Sequence, residues 1–101
     1  MAEAPGWFCY ILECEDGSLY TGLTNDPDRR WRDHVAGRAS RYTRQHRPRR
    51  MAYLEPQSDR SEAMRRERAL KRLPRPKKLA LIAATPLLET SPQGVHDIRE
   101  H

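Results

Sequence analysis

Short apolar segments, separated by polar segments with glycine and proline, predict the secondary structure of this 101-residue chain. Residues 7–13, WFCYILE, form a continuous apolar run rich in aromatic and β-branched side chains, which is typical of a buried strand. Asp16-Gly17 is a hairpin turn signal, so SLYTGL at 18–23 is predicted to be the antiparallel partner of that strand. MAYLEP at 51–56 predicts a third strand.

A first helix is predicted directly after the second strand. Asn25 or Asp26 supplies its N-cap, and Pro27 suits the first helical position, where the missing N–H is not needed. Gly37 is expected to end this helix.

Two further helices are predicted after the third strand. Residues 58–74 form the longer one, since Asp59 and Glu62 have the spacing of a capping box and Pro74 ends the run. Residues 75–85 predict a short helix that closes the domain.

The order β-β-α-β-α-α predicts a small α+β domain with helices flanking a mostly antiparallel three-stranded sheet. Residues 7–84 are expected to form this domain, with residues 1–6 as a disordered lead and residues 85–101 as a loosely ordered C-terminal tail. Hydrophobic residues make up 37% of the chain, which is enough for one modest core.

The net charge of the chain indicates what kind of partner it binds. Lys and Arg total 19 against 14 acidic residues, which gives a net charge of +5. A domain this basic favours nucleic acid as a partner, although a soluble protein with surplus surface arginine remains the alternative. Arginine far outnumbers lysine, and the guanidinium group matches phosphate geometry better than an ammonium group does.

The two cysteines, Cys9 and Cys14, have no spacing that indicates zinc. The N-terminal MAEAPG lacks the basic and apolar parts of a targeting segment, and no apolar run is long enough for a membrane span. The chain is therefore expected in the cytoplasm, with both thiols free and no membrane partner.

Two polar pairs are candidates for chemistry. Arg30 and His34 lie four residues apart on one face of the first helix, beside Trp31 and Val35, which are expected to face the core. A solvated polar face is the alternative interpretation of such a pair. Tyr10 and Tyr20 lie in the paired strands, where a tyrosine packed in the core is equally compatible with the pattern.

A fifth candidate, Glu67, lies on the inward stripe of the second helix between Ala63 and Leu70. A carboxylate there must be paired, protonated or bound to a cation, because an isolated buried charge is too costly. A structural salt bridge to an arginine is the alternative to a functional role.

Together these residues resemble the signature of the GIY-YIG nuclease superfamily, in particular its small single-domain bacterial branch. The chain is also similar to the N-terminal nuclease domain of the excinuclease C subunit. The motifs that carry the resemblance are Phe8-Cys9-Tyr10 followed by Ile11-Leu12, Tyr20-Thr21-Gly22, Arg30-x-x-x-His34 and Glu67, within residues 7 to 83. Phe8 and Cys9 replace the Gly and Ile of the first motif. The late asparagine of larger members has no counterpart, since the chain's only asparagine is Asn25.

The resemblance implies hydrolysis of DNA phosphodiester bonds with one divalent ion, Mg²⁺ or Mn²⁺, and no small-molecule cofactor. It assigns Glu67 to the metal, Arg30 to the scissile phosphate, and Tyr10 to activation of water with the help of His34. Tyr20 would line the phosphate site. His34 is the alternative general base. If Tyr10 is the base, Arg30 and the cation are expected to lower its pKa.

DNA contacts are expected outside the catalytic residues as well. Arginines in the segment 38–50 surround Tyr42 and His46, which suits a phosphate backbone with exposed bases. The predicted DNA-binding residues are Gly22, which would leave room for a phosphate, Arg38, Arg41, Tyr42, Arg44, Lys77 and Lys78.

The expected function is cleavage of single-stranded, flapped or branched DNA in repair or recombination, at the bacterial nucleoid, by a monomer or a dimer. A non-catalytic nucleic-acid-binding module on the same fold is the main alternative. A basic scaffold protein in a repair complex is a further one.

Overall fold

Three antiparallel strands, β1 (Trp7–Cys14), β2 (Leu19–Thr24) and β3 (Pro48–Gln57), form one sheet in the order β2-β1-β3. They belong to a computed structural model that describes residues 6–85. The sheet is the one predicted, and β3 is longer at both ends than expected. The predicted lead and tail lie almost wholly outside the described residues, so the domain limits stay predictions.

Four helices connect and flank these strands: α1 (Pro27–Val35), α2 (Arg41–Gln45), α3 (Arg60–Arg72) and α4 (Arg75–Ala84). The three predicted helices are confirmed, while α2 is an extra short helix inside the segment predicted to be an arginine-rich loop. Asp26 caps α1, because its Oδ1 accepts a hydrogen bond from the Arg29 backbone N–H at 3.1 Å. Asp59 caps α3 in the same way.

Alternating side chains of β1 divide the core between the two faces of the sheet. Cys9 and Ile11 pack with Ala63 and Leu70, so one face of the sheet is covered by α3. Tyr10 belongs to a separate cluster, which contains Trp31 of α1 on the opposite face. The central strand is therefore buried on both sides, which explains its continuous apolar sequence.

The buried face of α1 differs from the one predicted. Trp31 is buried, but Val35 is 54% exposed, so its expected place in the core is wrong. His34 takes that inward position and is only 1% exposed. Residues three apart share a helix face, and α1 ends at Val35, so the inward stripe runs through Trp31 and His34.

The arginine-rich segment is also more ordered than predicted. Arg49 and Arg50 belong to β3, and the Arg50 Nε donates a 2.7 Å hydrogen bond to Glu13 across the sheet. Cys9 and Cys14 are buried and free, as expected. Among residues 6–85, no helix combines the length and the apolar character needed to cross a membrane.

Candidate active site

A cleft of about 340 Å³ brings together all five residues singled out in the sequence, Tyr10, Tyr20, Arg30, His34 and Glu67. Its remaining lining comes from Leu23, Ala39, Arg60 and Met64. The five residues come from four different elements, so their proximity is a property of the fold.

The position of β2 at the edge of the sheet explains how these elements meet. Tyr10 packs with α1 on one face of the sheet, whereas Leu23 packs with the α3 side on the other face. Since β2 is an edge strand among the described residues 6–85, side chains from both faces can meet around its outer edge. Glu67 of α3 thus reaches the same cleft as Arg30 and His34 of α1.

Gly22 is the position that lets Tyr10 occupy the site. The two residues are direct partners in the pairing of β1 with β2. A Cβ at position 22 would lie 2.5 Å from the Tyr10 hydroxyl oxygen and 2.6 Å from its Cζ, far inside van der Waals contact. The space beside Gly22 is thus filled by the Tyr10 ring, so its expected contact with a phosphate stays a prediction.

A chain of short hydrogen bonds connects the buried polar groups of the site. The Tyr10 hydroxyl lies 2.8 Å from Nε2 of His34, and Nδ1 of His34 lies 2.7 Å from Oγ1 of Thr43. Thr43 Oγ1 in turn lies 2.9 Å from the Ser40 hydroxyl. The Tyr20 ring meets His34 edge-on at 5.2 Å between centroids and so closes the site on another side.

Burial determines the protonation of the Tyr10–His34 pair. Burial raises the pKa of Tyr10 well above its ordinary value, and the opposing effect of Arg30 is smaller. The expectation of a lowered Tyr10 pKa therefore does not hold for the protein by itself. Burial, followed by the positive charge of Arg30, lowers the pKa of His34 to about 4. At neutral pH the pair is accordingly a protonated phenol beside a neutral imidazole.

The charged residues in the lining of the cleft are Arg30, Arg60 and Glu67. The Arg30 guanidinium makes no hydrogen bond or ion pair with any residue in the described part of the chain, which leaves its donors available to a ligand. The Glu67 side chain is 21% exposed and forms an ion pair with Lys71 at 3.5 Å. The expected alternative partner was an arginine, and the structure provides a lysine one turn further along α3.

The donor set of the cleft fits a single hard cation. The Glu67 carboxylate is the one acidic group in the lining of the cleft, and within residues 6–85 no group of three or more His, Cys, Asp or Glu side chains could hold a metal. Mg²⁺ usually keeps several of its waters and is often bound through one or two carboxylates. Glu67 as the one protein ligand is consistent with that preference.

The other predicted DNA contacts lie on α2, just before it and on α4. Arg41 and Arg44 are exposed on α2, and Arg38 is exposed but bonded to Asp33. On α4, Lys77 is exposed, while Lys78 is partly buried and has its pKa lowered by that burial and by Lys71. The cleft lining includes none of these cationic residues, so their contacts with DNA stay predictions.

Tyr42 is part of a series of aromatic rings that leads outward from the cleft. Its ring stacks on Tyr20 at 5.7 Å and on His46 at 4.2 Å between centroids. His46 is held by Asp16 of the β1–β2 turn, with 2.6 Å between Nδ1 and Oδ2. Tyr42 is still 36% exposed, so the stack presents aromatic surface beside the entrance.

Thr43 and Ser40 are the site residues that sequence reasoning missed. Thr43 is 1% exposed, and Ser40 caps α2 by accepting a hydrogen bond from the Thr43 backbone N–H. The spacing Ser-x-x-Thr after Gly37 is a signal for a helix N-cap and could have located α2. Nothing in that spacing indicates that Thr43 points at His34.

A comparison with known protein families identifies the family of this chain. Residues 6–80 match the family model described as the GIY-YIG catalytic domain. Since the match spans most of the chain, the protein belongs to the GIY-YIG family, a family of nucleases. The resemblance inferred from Tyr10, Tyr20, Arg30, His34 and Glu67 is thus confirmed at the level of the family.

The relatives belong to a small single-domain branch. The chain is 49% identical over 80 residues to a UPF0213 protein of Xanthomonas axonopodis pv. citri (strain 306), which covers 79% of this chain and 78% of that protein. It is 44% identical over 84 residues to a UPF0213 protein of Desulfotalea psychrophila, and the match covers 82% of this chain and 76% of that protein. The solution NMR structure of a UPF0213 protein from Bacillus halodurans is 42% identical, covers 79% of this chain and 85% of that one, and has a TM-score of 0.52.

Proposed function

We propose that the protein is a divalent-metal-dependent endonuclease that hydrolyses phosphodiester bonds in single-stranded, flapped or branched DNA. The observation that carries the proposal is the convergence in one cleft of a phenol–imidazole pair, a carboxylate and a guanidinium that has no partner among residues 6–85. Phosphodiester hydrolysis requires a proton acceptor for water, and positive charge where the non-bridging oxygens gain negative charge.

Arg30 is the proposed ligand of the scissile phosphate. Its guanidinium lines the cleft, and a planar fork of N–H donors can bind two phosphate oxygens at once. Glu67 would hold a single Mg²⁺ or Mn²⁺ ion, and such an ion supplies further positive charge beside the phosphate oxygens. Tyr20 covers the His34 ring at the wall of the cleft and limits the access of bulk water to it.

Tyr10 and His34 act together in the proposed proton transfer. The attacking water forms a bond to phosphorus and gives its proton to the Tyr10 oxygen, while the Tyr10 proton passes to Nε2 of His34 over 2.8 Å. The bond from phosphorus to the leaving deoxyribose oxygen breaks, and that oxygen keeps the bonding electron pair and takes a proton from solvent water. The extra proton on His34 then returns to solvent. This route avoids a free tyrosinate, which the raised pKa of Tyr10 disfavours. The negative charge of a bound phosphate would offset the effect of Arg30 on His34.

The surroundings of the cleft support a polyanionic substrate. Arg41 and Arg44 are exposed on α2, and Tyr42 and His46 offer aromatic surface to unpaired bases. The proposed form is a monomer, with a dimer as the alternative. The proposed setting is DNA repair or recombination at the nucleoid of a bacterial cytoplasm.

Cleavage of labelled single-stranded, duplex, flapped and branched DNA with Mg²⁺ or with EDTA tests the proposal. The wild type is expected to cut non-duplex DNA only with the metal, and Glu67→Ala is expected to abolish cutting. Glu62→Ala is the matched control, because Glu62 lies in the same helix and pairs with Arg65 at the surface. Equal cleavage by the wild type and Glu67→Ala would mean that the activity is a contaminant or that the site is misassigned.

The roles of Tyr10 and His34 are tested by the pH dependence of the rate. Tyr10→Phe and His34→Ala should each lower kcat by about 100-fold or more, as expected for the loss of general base catalysis. Unchanged turnover in Tyr10→Phe would exclude the tyrosine role. DNA binding by the wild type without any cleavage would identify the chain as a non-catalytic binding module instead.

A further inference from the structure

Helix α2 has a single buried residue, Thr43, and its hydroxyl contacts the ring of His34. We propose that Thr43 is a positioning residue that accepts the Nδ1 proton of His34 and so directs the Nε2 lone pair of that ring at the Tyr10 hydroxyl. The catalytic consequence of this arrangement rests on the nuclease function proposed above. The arrangement itself is a property of the folded protein and can be measured without any substrate.

The hydrogen atoms of the network favour one of two possible arrangements. In the first, Tyr10 donates to Nε2, the Nδ1 proton is donated to Thr43 Oγ1, and the Thr43 hydroxyl donates to the Ser40 hydroxyl at 2.9 Å or to the Ser40 carbonyl at 3.5 Å. The protons of Tyr10, His34 and Thr43 then all have acceptors within the network.

The reversed arrangement leaves a buried donor without an acceptor. If Thr43 donated to Nδ1, the Nε2 proton of His34 would have to point at the Tyr10 oxygen. The Tyr10 hydroxyl proton would then lack an acceptor among the described residues, although Tyr10 is only 2% exposed. A buried donor without a partner costs about 1–3 kcal/mol, so the first arrangement is favoured.

The backbone of α2 fixes the Thr43 hydroxyl in place. Ser40 caps the helix by accepting from the Thr43 backbone N–H at 3.1 Å, so the first turn of α2 is tied to the residue that contacts His34. Thr43 is β-branched, which restricts its χ1 angle and thereby limits where Oγ1 can lie. Helix α2 thus holds the Thr43 hydroxyl group beside Nδ1 of His34.

The position of the proton on His34 decides whether the ring can accept a proton from Tyr10. Only the tautomer with its proton on Nδ1 can accept the Tyr10 proton at Nε2, and the other tautomer would present an N–H to the phenol oxygen instead. Thr43 would therefore set the direction of proton transfer without touching the substrate.

The ring nitrogens of His34 report the tautomer in ¹⁵N NMR spectra of the free protein. The wild type is expected to carry the proton on Nδ1, and a wild-type ring protonated on Nε2 would overturn the proposal regardless of any variant. Thr43→Val keeps the shape but removes the acceptor of the Nδ1 proton, so that either tautomer leaves one donor unpaired. The preference for Nδ1 is therefore expected to be lost, with a shift towards the Nε2-protonated form. Thr43→Ser keeps the hydroxyl and should restore the wild-type signals.

Thr21→Val is the matched control, because Thr21 is a buried threonine whose Oγ1 has no hydrogen-bond partner in the described structure. It should leave the His34 signals unchanged. In the cleavage assay Thr43→Val is expected to lower kcat about 10- to 100-fold with little change in KM, and Thr43→Ser should recover most of it. Wild-type tautomer and wild-type kcat in Thr43→Val would refute the positioning role.

The two proposals fail in different ways. If the wild type cuts no DNA, the nuclease function fails, while the tautomer of His34 still decides the role of Thr43. If the wild type cuts DNA and Thr43→Val behaves like Thr21→Val in both assays, only the positioning role fails.

Discussion

Replacement of Gly22 by alanine tests the central geometry of the site with one methyl group. The new Cβ would lie 2.5 Å from the Tyr10 hydroxyl oxygen and 2.6 Å from Cζ, so the ring has to move. Tyr10 is 2% exposed and has packed neighbours, which leaves it little space to move into. Overpacking of this kind costs about 1–3 kcal/mol. Loss of the Tyr10–His34 hydrogen bond adds about 1 kcal/mol.

Thermal unfolding and DNA cleavage measure the two consequences. Each kcal/mol lowers the melting temperature of a domain this size by about 4–8 °C. Gly22→Ala should therefore melt clearly below the wild type and lose most of its activity, because the phenol leaves Nε2 of His34. Gly6→Ala is the control, since a Cβ at Gly6 meets nothing within 4 Å.

A double-mutant cycle isolates the cause of the loss. In a Tyr10→Leu background the ring is absent, so adding Gly22→Ala should cost much less free energy of unfolding than it does in the wild type. Equal costs in both backgrounds, or a Gly22→Ala protein with wild-type stability and activity, would refute the explanation.

Three further predictions follow from the charges of the site. The pKa of His34 is about 4 in the folded protein, below its value in the unfolded chain. The stability that His34 contributes is therefore complete above pH ~6.5 and is lost as the pH falls towards 4. In urea unfolding, His34→Gln should flatten the stability–pH curve between these two values. Glu67→Gln should abolish Mn²⁺ binding in calorimetry, and Glu62→Gln should not. Arg41→Ala and Arg44→Ala should each weaken DNA binding and reduce the slope of log K against log salt by about 1, whereas a flat salt dependence in the wild type would exclude an electrostatic interface.

The local signals of the sequence were sufficient for most of the fold. The continuous apolar run of β1 predicted a buried strand, Asn25 or Asp26 marked the start of α1, and Asp59 marked the start of α3. These features depend on side chains that satisfy nearby backbone groups, so neighbouring residues contain the information. The prediction that Val35 faces the core was wrong, because the burial of that side chain depends on where α1 ends against the sheet.

The candidate site was recognisable in the sequence only through its motif. Tyr10, Arg30 and Glu67 could be named from their spacing and resemblance, but spacing does not state that α3 approaches the same edge of β2 as α1. The interpretation of Gly22 shows the difference. The sequence indicated a need for space, and the structure shows that the Tyr10 ring fills it.

By itself the sequence determined the three strands, the helices α1, α3 and α4 and the basic charge, because these are encoded locally, and its motifs indicated five residues of the cleft. Only the tertiary structure decided the protonation of those residues and their partners. Burial keeps Tyr10 a protonated phenol and His34 a neutral imidazole. The packing of α2 places the Thr43 hydroxyl within hydrogen-bond distance of that imidazole. Desolvation and hydrogen bonding across distant segments exist only once the chain has folded, since they depend on which groups exclude water from one another.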